Sequence, residues 1–494
     1  VASPLSPTAS SSTNLAQATV RGTVWTYLAY YSGKAMVFVS TIILARLLLK
    51  EDFGVAGYAL TVIAFLDVLS DLGIGSALIY HRDDPRAANT AFWLGLLIGG
   101  ALYIITWFIA PLAGSYFNDE RAVPVTRVLA LTFPLAALCN VHDVLLRKGL
   151  HFGRKFIPDF TQATSKGLLS IAFAWLGFGA WSLIWGQVAG TALAALAYWY
   201  VLPWRPSFQF VRSIARALLS YGFGIVSVNT LNIFVSNADY LFVGRFLGAA
   251  ALGVYTLAFR IPELLILQMC SIISRVVFPV YAKMRDERGA LQRGFLVTER
   301  YTALVTVPLS LGLILVAEPF VHTFLSERWR EAIPVLRAIT LYALFLSFGY
   351  NAGDVYKAEG RPILLTWLTL AQALVLIPAL YWAATTIGTI EAIGWTHVVV
   401  AFIISVVDLV VALRMLQTPV SAFLAVLRPA LMGGAGMSLA VWITLQLVTN
   451  TPPWAQLLVS IAVGGLTYLG TLWVMYRDLM LETGQTLRAA FSRR

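Results

Sequence analysis

About fourteen runs of roughly twenty mostly apolar residues follow one another along this chain. Coiled into a helix, a run of that length crosses the ~30 Å hydrocarbon core of a bilayer. In lipid every backbone N–H and C=O must be satisfied within the segment or by a closed sheet. Barrel strands need only ~9–11 alternating residues, so runs this long and continuous read as helices. Only 12% of the 494 residues are charged and the mean hydropathy is +0.77. A water-soluble domain carries about 25% charged residues. The sequence therefore predicts an all-α integral membrane protein of about 14 transmembrane helices, with no room for a sizeable soluble domain.

The expected spans are 22–45, 53–79, 89–110, 123–144, 156–177, 180–201, 217–243, 251–280, 297–317, 332–355, 363–384, 389–413, 425–448 and 453–476. Residues 1–20, rich in Ser, Thr, Ala and Pro, read as a disordered tail that lacks the basic start and apolar core of a signal peptide. An N-terminal lobe follows at 21–205, a cytoplasmic linker at 206–216, and a C-terminal lobe at 217–416. Two accessory spans occupy 417–476, and a cytoplasmic tail 477–494. The segment Pro203–Arg216 mixes Trp204, Phe208, Phe210 and Ile214 with Arg205, Arg212 and Arg216. It fits an amphipathic helix on the inner leaflet or an ordinary loop.

With the N-terminus inside, the inner loops hold about 23 Lys and Arg residues and the outer ones about 8, the sense of the positive-inside rule. The strongest basic loops are Arg147–Lys155 and Lys283–Arg300. Both termini are expected in the cytoplasm. The net charge of +11 is thus mostly topology plus attraction to anionic lipid heads, and no nucleic acid is needed to explain it. Cys139 and Cys270 fall in spans and read as buried apolar thiols. His81, His142, His151, His322 and His397 are scattered without metal-ligand spacing, so neither metal nor cofactor is expected.

The chain repeats itself. Arg46–Val55 after the first span and Arg245–Val254 after the seventh share a frame of Arg, Leu, bulky apolar, Gly and Val, offset by 199 residues. Asn140-Val-His-Asp143-Val144 and Asn351-Ala-Gly-Asp354-Val355 match at an offset of 211. Six spans per repeat is an even number, so the halves enter the membrane in the same sense, as parallel repeats.

Polar residues stripe several spans at helical spacing. A charge at a span centre costs about 2.5–3.5 kcal/mol on insertion scales, so such residues face water or a partner. The candidates for lining a central cavity are Lys34, Arg260, Arg275, Lys166, Tyr30, Tyr31, Asn232, Asn237 and Asp239. Cations suit a phosphate, and Tyr and Asn side chains suit sugar hydroxyls. Asp67, Asp71 and Glu263 are the candidates for ion coupling. Internal pairing competes with each role: Lys34 with Asp67 or Asp71, Arg260 with Glu263. For Arg275 the competing role is snorkelling or anchoring a loop. Gly95-Leu-Leu-Ile-Gly99 and Gly186-Gln-Val-Ala-Gly190 read as close-packing motifs.

Asn237–Arg260 resembles the polysaccharide-transport family of the multidrug/oligosaccharidyl-lipid/polysaccharide exporter superfamily. So do Ser274–Tyr281, Phe53–Tyr58 and the Glu359-Gly-Arg-Pro362 turn. The resemblance implies a Wzx-type flippase that carries undecaprenyl-diphosphate-linked sugar units from the inner to the outer leaflet of the bacterial cytoplasmic membrane. It implies two six-helix lobes in a V around a cationic cavity, working by alternating access. Its partners would be a lipid-linked glycan, membrane lipids and polysaccharide-assembly proteins. In related lipid II flippases two extra C-terminal helices help form a lipid groove, and spans 13 and 14 look similar. The competing functions are an ion-coupled multidrug exporter of the same superfamily and a membrane glycosyltransferase or polymerase. Balanced cavity charges lean against the first, and outer segments of only about a dozen residues lean against the second.

Overall fold

A computed structural model describes residues 32–71, 78, 85–149, 151–285, 287, 289–482 and 485. Tyr30, Tyr31 and the tail at 1–20 lie outside the described residues, as do the side chains of Asp71 and Asn229. The described residues contain helices and no strand. The chain divides into two compact units, 1–253 and 254–494.

In the first unit, α1 covers residues 32–47. It is followed by α2 (Lys50–Asp71), α3 (Pro85–Phe117), α4 (Ala122–Leu129) and α5 (Thr132–Lys148). Next come α6 (Phe152–Trp175), α7 (Ala180–Val201) and α8 (Arg212–Phe242), then the start of α9 (Gly248–Pro262). The helices α6 and α7 form a tightly packed antiparallel hairpin. Its turn uses Gly177 and Gly179 at φ +82° and +53°, a region that side chains avoid. The motif Gly186/Gly190 does close the hairpin: a Cβ on Gly186 would stand 1.8 Å from the Ser170 hydroxyl, and one on Gly190 2.9 Å from Lys166 Cβ. Of the other pair, Gly99 abuts the Phe133 carbonyl whereas Gly95 faces open space. The unit boundary lies past residues 206–216 because α8 packs on α2.

The connecting segment before α8 is not an amphipathic helix. Residues 202–211 form an irregular strap, and α8 starts only at Arg212. Pro203 and Pro206 lack the N–H a helix would use, and the strap finds other partners. Asn89 of α3 accepts from the Ser207 N–H at 3.0 Å and donates to its hydroxyl at 2.6 Å. Trp93 Nε1 donates to the Ser207 carbonyl at 2.9 Å, and the Phe208 ring stacks on Trp93 at 4.7 Å.

In the second unit, α9 continues through a π-turn at Glu263–Leu267 into α10 (Gln268–Met284). There follow α11 (Ala290–Phe320), α12 (Ala332–Gly349), α13 (Ala352–Ala358), α14 (Ile363–Trp382) and α15 (Ile390–Met415). The last two long helices are α16 (Val420–Leu447) and α17 (Pro453–Met475). Both pack on α11, and the Tyr468 hydroxyl of α17 donates to the Leu304 carbonyl of α11 at 2.8 Å. The core gathers around Phe295, Val307, Tyr356 and Phe423. Pro334 sits in the first turn of α12, where a missing N–H costs nothing.

Eleven helices among the described residues are long and apolar enough to cross a membrane. They do not establish the expected count of about 14. Residues 32–47 are too short as described, Phe152–Trp175 has the length without the apolarity, and Thr230–Met284 runs on as one stretch of 55 residues.

Candidate functional site

In the first unit, Lys34 of α1 and Lys166 of α6 are both half-buried, and each engages a neighbour. Their helices touch, since a Cβ on Gly167 would lie 3.0 Å from that of Ser40. Asp67 is exposed and accepts a hydrogen bond from the Ser70 hydroxyl at 2.7 Å. On α8, Asn232 is exposed, whereas Asn237 donates to the Ile233 carbonyl one turn back at 3.0 Å. Asp239 is buried and accepts from the Tyr240 N–H at 2.9 Å.

A denser polar cluster sits where α5, α6 and α7 meet. Lys155 contacts Asp143 and stands 3.1 Å from Asp159. The Tyr198 hydroxyl lies 3.0 Å from Asp143 and 2.8 Å from Asp159, and Lys155 donates to it at 3.1 Å. Arg147 closes on Asp143 at 2.7 Å, one helical turn along. Sequence reasoning singled out Asp143 through the repeat and missed the cluster. Lys155 and Arg147 read there as loop charges. The signal available was the conjunction of Lys155 with Asp159 at i, i+4.

In the second unit, Arg260 and Glu263 do pair, at 2.9 Å. Pro262 has no N–H to give, and the helix widens at once into the π-turn that Glu263 begins. The pair is not sealed: the side chains keep 34% and 36% of their surface accessible. Lying within the apolar stretch Thr230–Met284, this accessible guanidinium can receive an anion. Arg275 is exposed and engages a neighbour. Beside it, the Ser274 hydroxyl donates to the buried carboxylate of Asp354, which also takes Lys357 Nζ at 3.1 Å. The repeat-related aspartates Asp143 and Asp354 therefore each hold a lysine. Among the described residues no group of three or more His, Cys, Asp or Glu is placed to hold a metal ion.

The sequence profile of the family described as "Polysaccharide biosynthesis protein" matches residues 43–334. The chain is 28% identical over 412 residues to the teichuronic acid biosynthesis protein TuaB of Bacillus subtilis (strain 168), covering 82% of this chain and 85% of that one. It is 25% identical over 478 residues to the succinoglycan biosynthesis transport protein ExoT of Rhizobium meliloti (strain 1021), covering 96% of each. The fold is similar to that of the lipid II flippase MurJ in its inward closed conformation, with a TM-score of 0.76 at 18% identity over 92% of this chain and 100% of that one. An inward-facing multidrug resistance transporter of the MATE family matches with a TM-score of 0.65 at 18% identity, over 78% of this chain and 94% of that one. The chain belongs to the polysaccharide biosynthesis protein family and is a multi-pass membrane protein.

Proposed function

We propose that this protein is a flippase for undecaprenyl-diphosphate-linked oligosaccharide, moving the repeat units of a cell-surface polysaccharide from the inner to the outer leaflet of a bacterial cytoplasmic membrane by alternating access. The observation that carries the reading is Arg260, a permanent cation left one-third accessible inside an apolar helical run. Facing lipid it would cost several kcal/mol, and its pairing with Glu263 covers only part of its surface, which favours a water-filled path along its accessible face. There it offers a diphosphate charge-assisted hydrogen bonds worth roughly 1.5–3 kcal/mol. Within the first unit, Lys34 and Lys166 are half-buried cations and Asn232 is an exposed group suited to sugar hydroxyls, each engaging a neighbour. The distribution of Lys and Arg along the sequence supports a cytoplasmic side for both termini. The prenyl tail stays in lipid while the head group crosses. With the membrane negative inside, outward movement of each negative charge is favoured by about 2.3 kcal/mol per 100 mV. The reading is transport rather than catalysis.

The test is reconstitution of the full chain in liposomes carrying the lipid-linked oligosaccharide. The expected outcome is protein-dependent exposure of sugar from the trans leaflet to an added glycosidase, lost with Arg260→Ala. No exposure, together with efflux of a cationic dye by the same vesicles, would replace the flippase reading with the multidrug one.

A further inference from the structure

In the second unit, Glu299 of α11 is fully buried, with 0% of its surface exposed. It lies beside the aromatic and aliphatic core that includes Phe295 and Ala303 of its own helix and Val355 of α13. Asn351, also 0% exposed, sits between α12 and α13 and donates its Nδ2–H to Glu299 Oε1 at 3.1 Å. The same amide nitrogen lies 3.4 Å from the Thr302 hydroxyl. Among the described residues, Glu299 Oε2 and Asn351 Oδ1 have no hydrogen-bond partner, and no cation pairs with Glu299. The guanidinium of its neighbour Arg300 lies over the Tyr301 ring at 5.7 Å, with its Nε buried and making no hydrogen bond to Glu299.

An ionised carboxylate only accepts hydrogen bonds, and so does an amide oxygen. As a carboxylate, Glu299 would leave its own Oε2 and Asn351 Oδ1 both unsatisfied in the core, where each orphan costs about 1–3 kcal/mol and an unpaired charge more. One proton repairs both. A carboxylic acid and a carboxamide already joined by N–H···O close a two-bond ring when the acid O–H donates to the amide oxygen. We propose that Glu299 and Asn351 form a proton-binding site, with the proton on Glu299 Oε2 donated to Asn351 Oδ1. The balance is simple: a carboxylate takes up one proton and no other bond changes. A bare metal cation bridging the same two oxygens is the rival occupant, and replacement of sodium separates the two.

The titratable groups around the site are few. From α10 come buried Cys270 and Tyr281. From α13 comes Asp354, already held by Ser274 and Lys357. On α16 Arg428 is exposed, and Tyr468 of α17 is committed to the Leu304 carbonyl. None supplies a positive charge to Glu299, so release of the proton leaves a bare anion in the core. The site is independent of which substrate the protein carries.

Infrared difference spectroscopy of the full chain in lipid nanodiscs tests this without any substrate. At neutral pH the wild type should show a protonated-carboxyl C=O band. That band should vanish in Glu299→Gln, which keeps the two-bond ring as an amide pair, and should shift in Asn351→Ser. Replacing sodium with choline should leave it unchanged. Thermal stability should fall with rising pH in the wild type and fall less in Glu299→Gln. A neutral-pH spectrum with no band sensitive to either substitution, or a band that sodium abolishes, would overturn the proposal. The Asn351→Ser shift decides the matter even if Glu299→Gln does not fold.

Discussion

Gly54 and Gly253, equivalent positions of the internal repeat, cross one another reciprocally within the first unit. A Cβ on Gly54 would stand 1.8 Å from the Ala249 carbonyl oxygen, and one on Gly253 would stand 1.9 Å from that of Lys50. Ala249 and Lys50 are themselves equivalent at the same offset of 199 residues. The repeat seen in sequence is therefore a packing relation, in which two small residues let two backbones touch. Alanine is the better helix former by about 1 kcal/mol. Here the obstacle is backbone, which has no rotamer to yield, and overpacking costs about 1–3 kcal/mol. Gly54→Ala and Gly253→Ala should each lower the melting temperature of the purified protein. The double variant should cost less than the sum, because the first methyl already parts the helices. Gly100→Ala, with nothing within 4 Å of the added carbon, is the control and should be neutral or stabilising. Equal behaviour of all three single variants would contradict this account.

Between α3 and α4, Asp119 accepts from the Arg121 guanidinium at 2.9 and 2.8 Å. The hydrogen bond from Arg121, more than any other cause, holds this carboxyl below the usual range. Its contribution to stability is thus present above the unfolded-state value of about 3.9 and is lost as pH falls through the lower folded value. Arg121 is 60% exposed, so the pair is worth less than about 1 kcal/mol. Arg121→Ala should lower the melting temperature slightly at neutral pH, and the gap should close in acid. A gap that persists undiminished at the acid end would show that the pair does not matter.

The cluster around Lys155 carries a larger stake. Lys155→Met leaves Asp159 without its cation, Asp143 with Arg147 as its remaining cation, and the two carboxylates sharing the one Tyr198 hydroxyl. Leaving partly buried carboxylates unsatisfied should cost roughly 1–3 kcal/mol. Adding Asp159→Asn should restore part of that loss in a melting curve. If the double variant melts no higher than Lys155→Met, Asp159 is not the residue the lysine serves.

Much of this architecture is legible in the sequence, for a physical reason: lipid imposes long apolar runs, and helix spacing places Lys34, Lys166 and Arg260 in stripes. What is not legible depends on neighbours distant in the chain. Tyr198 joins Asp143 from 55 residues away. The strap at 202–211 has an amphipathic composition, yet prolines and the Asn89–Ser207 bonds decide its path. Glu299 falls where the basic loop ending at Arg300 overlaps the start of the expected span 297–317, whereas α11 already begins at Ala290 and buries it. Burial of a charge next to Arg300 leaves no mark in hydropathy. Arg260 and Glu263 were readable as a possible pair from i, i+3 spacing alone. The π-turn that keeps them accessible was not.

That pair yields the prediction closest to function. Arg260 is bound to Glu263 at 2.9 Å, yet both side chains stay about one-third accessible. A purely structural pair this open is worth at most about 1 kcal/mol, so Arg260→Ala should leave membrane abundance close to that of the wild type. If Arg260 contacts a diphosphate, the same change removes roughly 1.5–3 kcal/mol of substrate interaction, about 10–150-fold in affinity. Arg260→Lys keeps the charge but not the planar fork, and should retain an intermediate activity. Glu263→Gln frees the guanidinium and should not restore transport to Arg260→Ala. The measurements are membrane abundance and glycan export for Arg260→Ala, Arg260→Lys, Glu263→Gln and the double neutral variant. Full export by the double variant would mean that Arg260 serves only to neutralise Glu263. Lost export at normal abundance, unrescued by Glu263→Gln, is the outcome the accessible geometry of Arg260 leads us to expect.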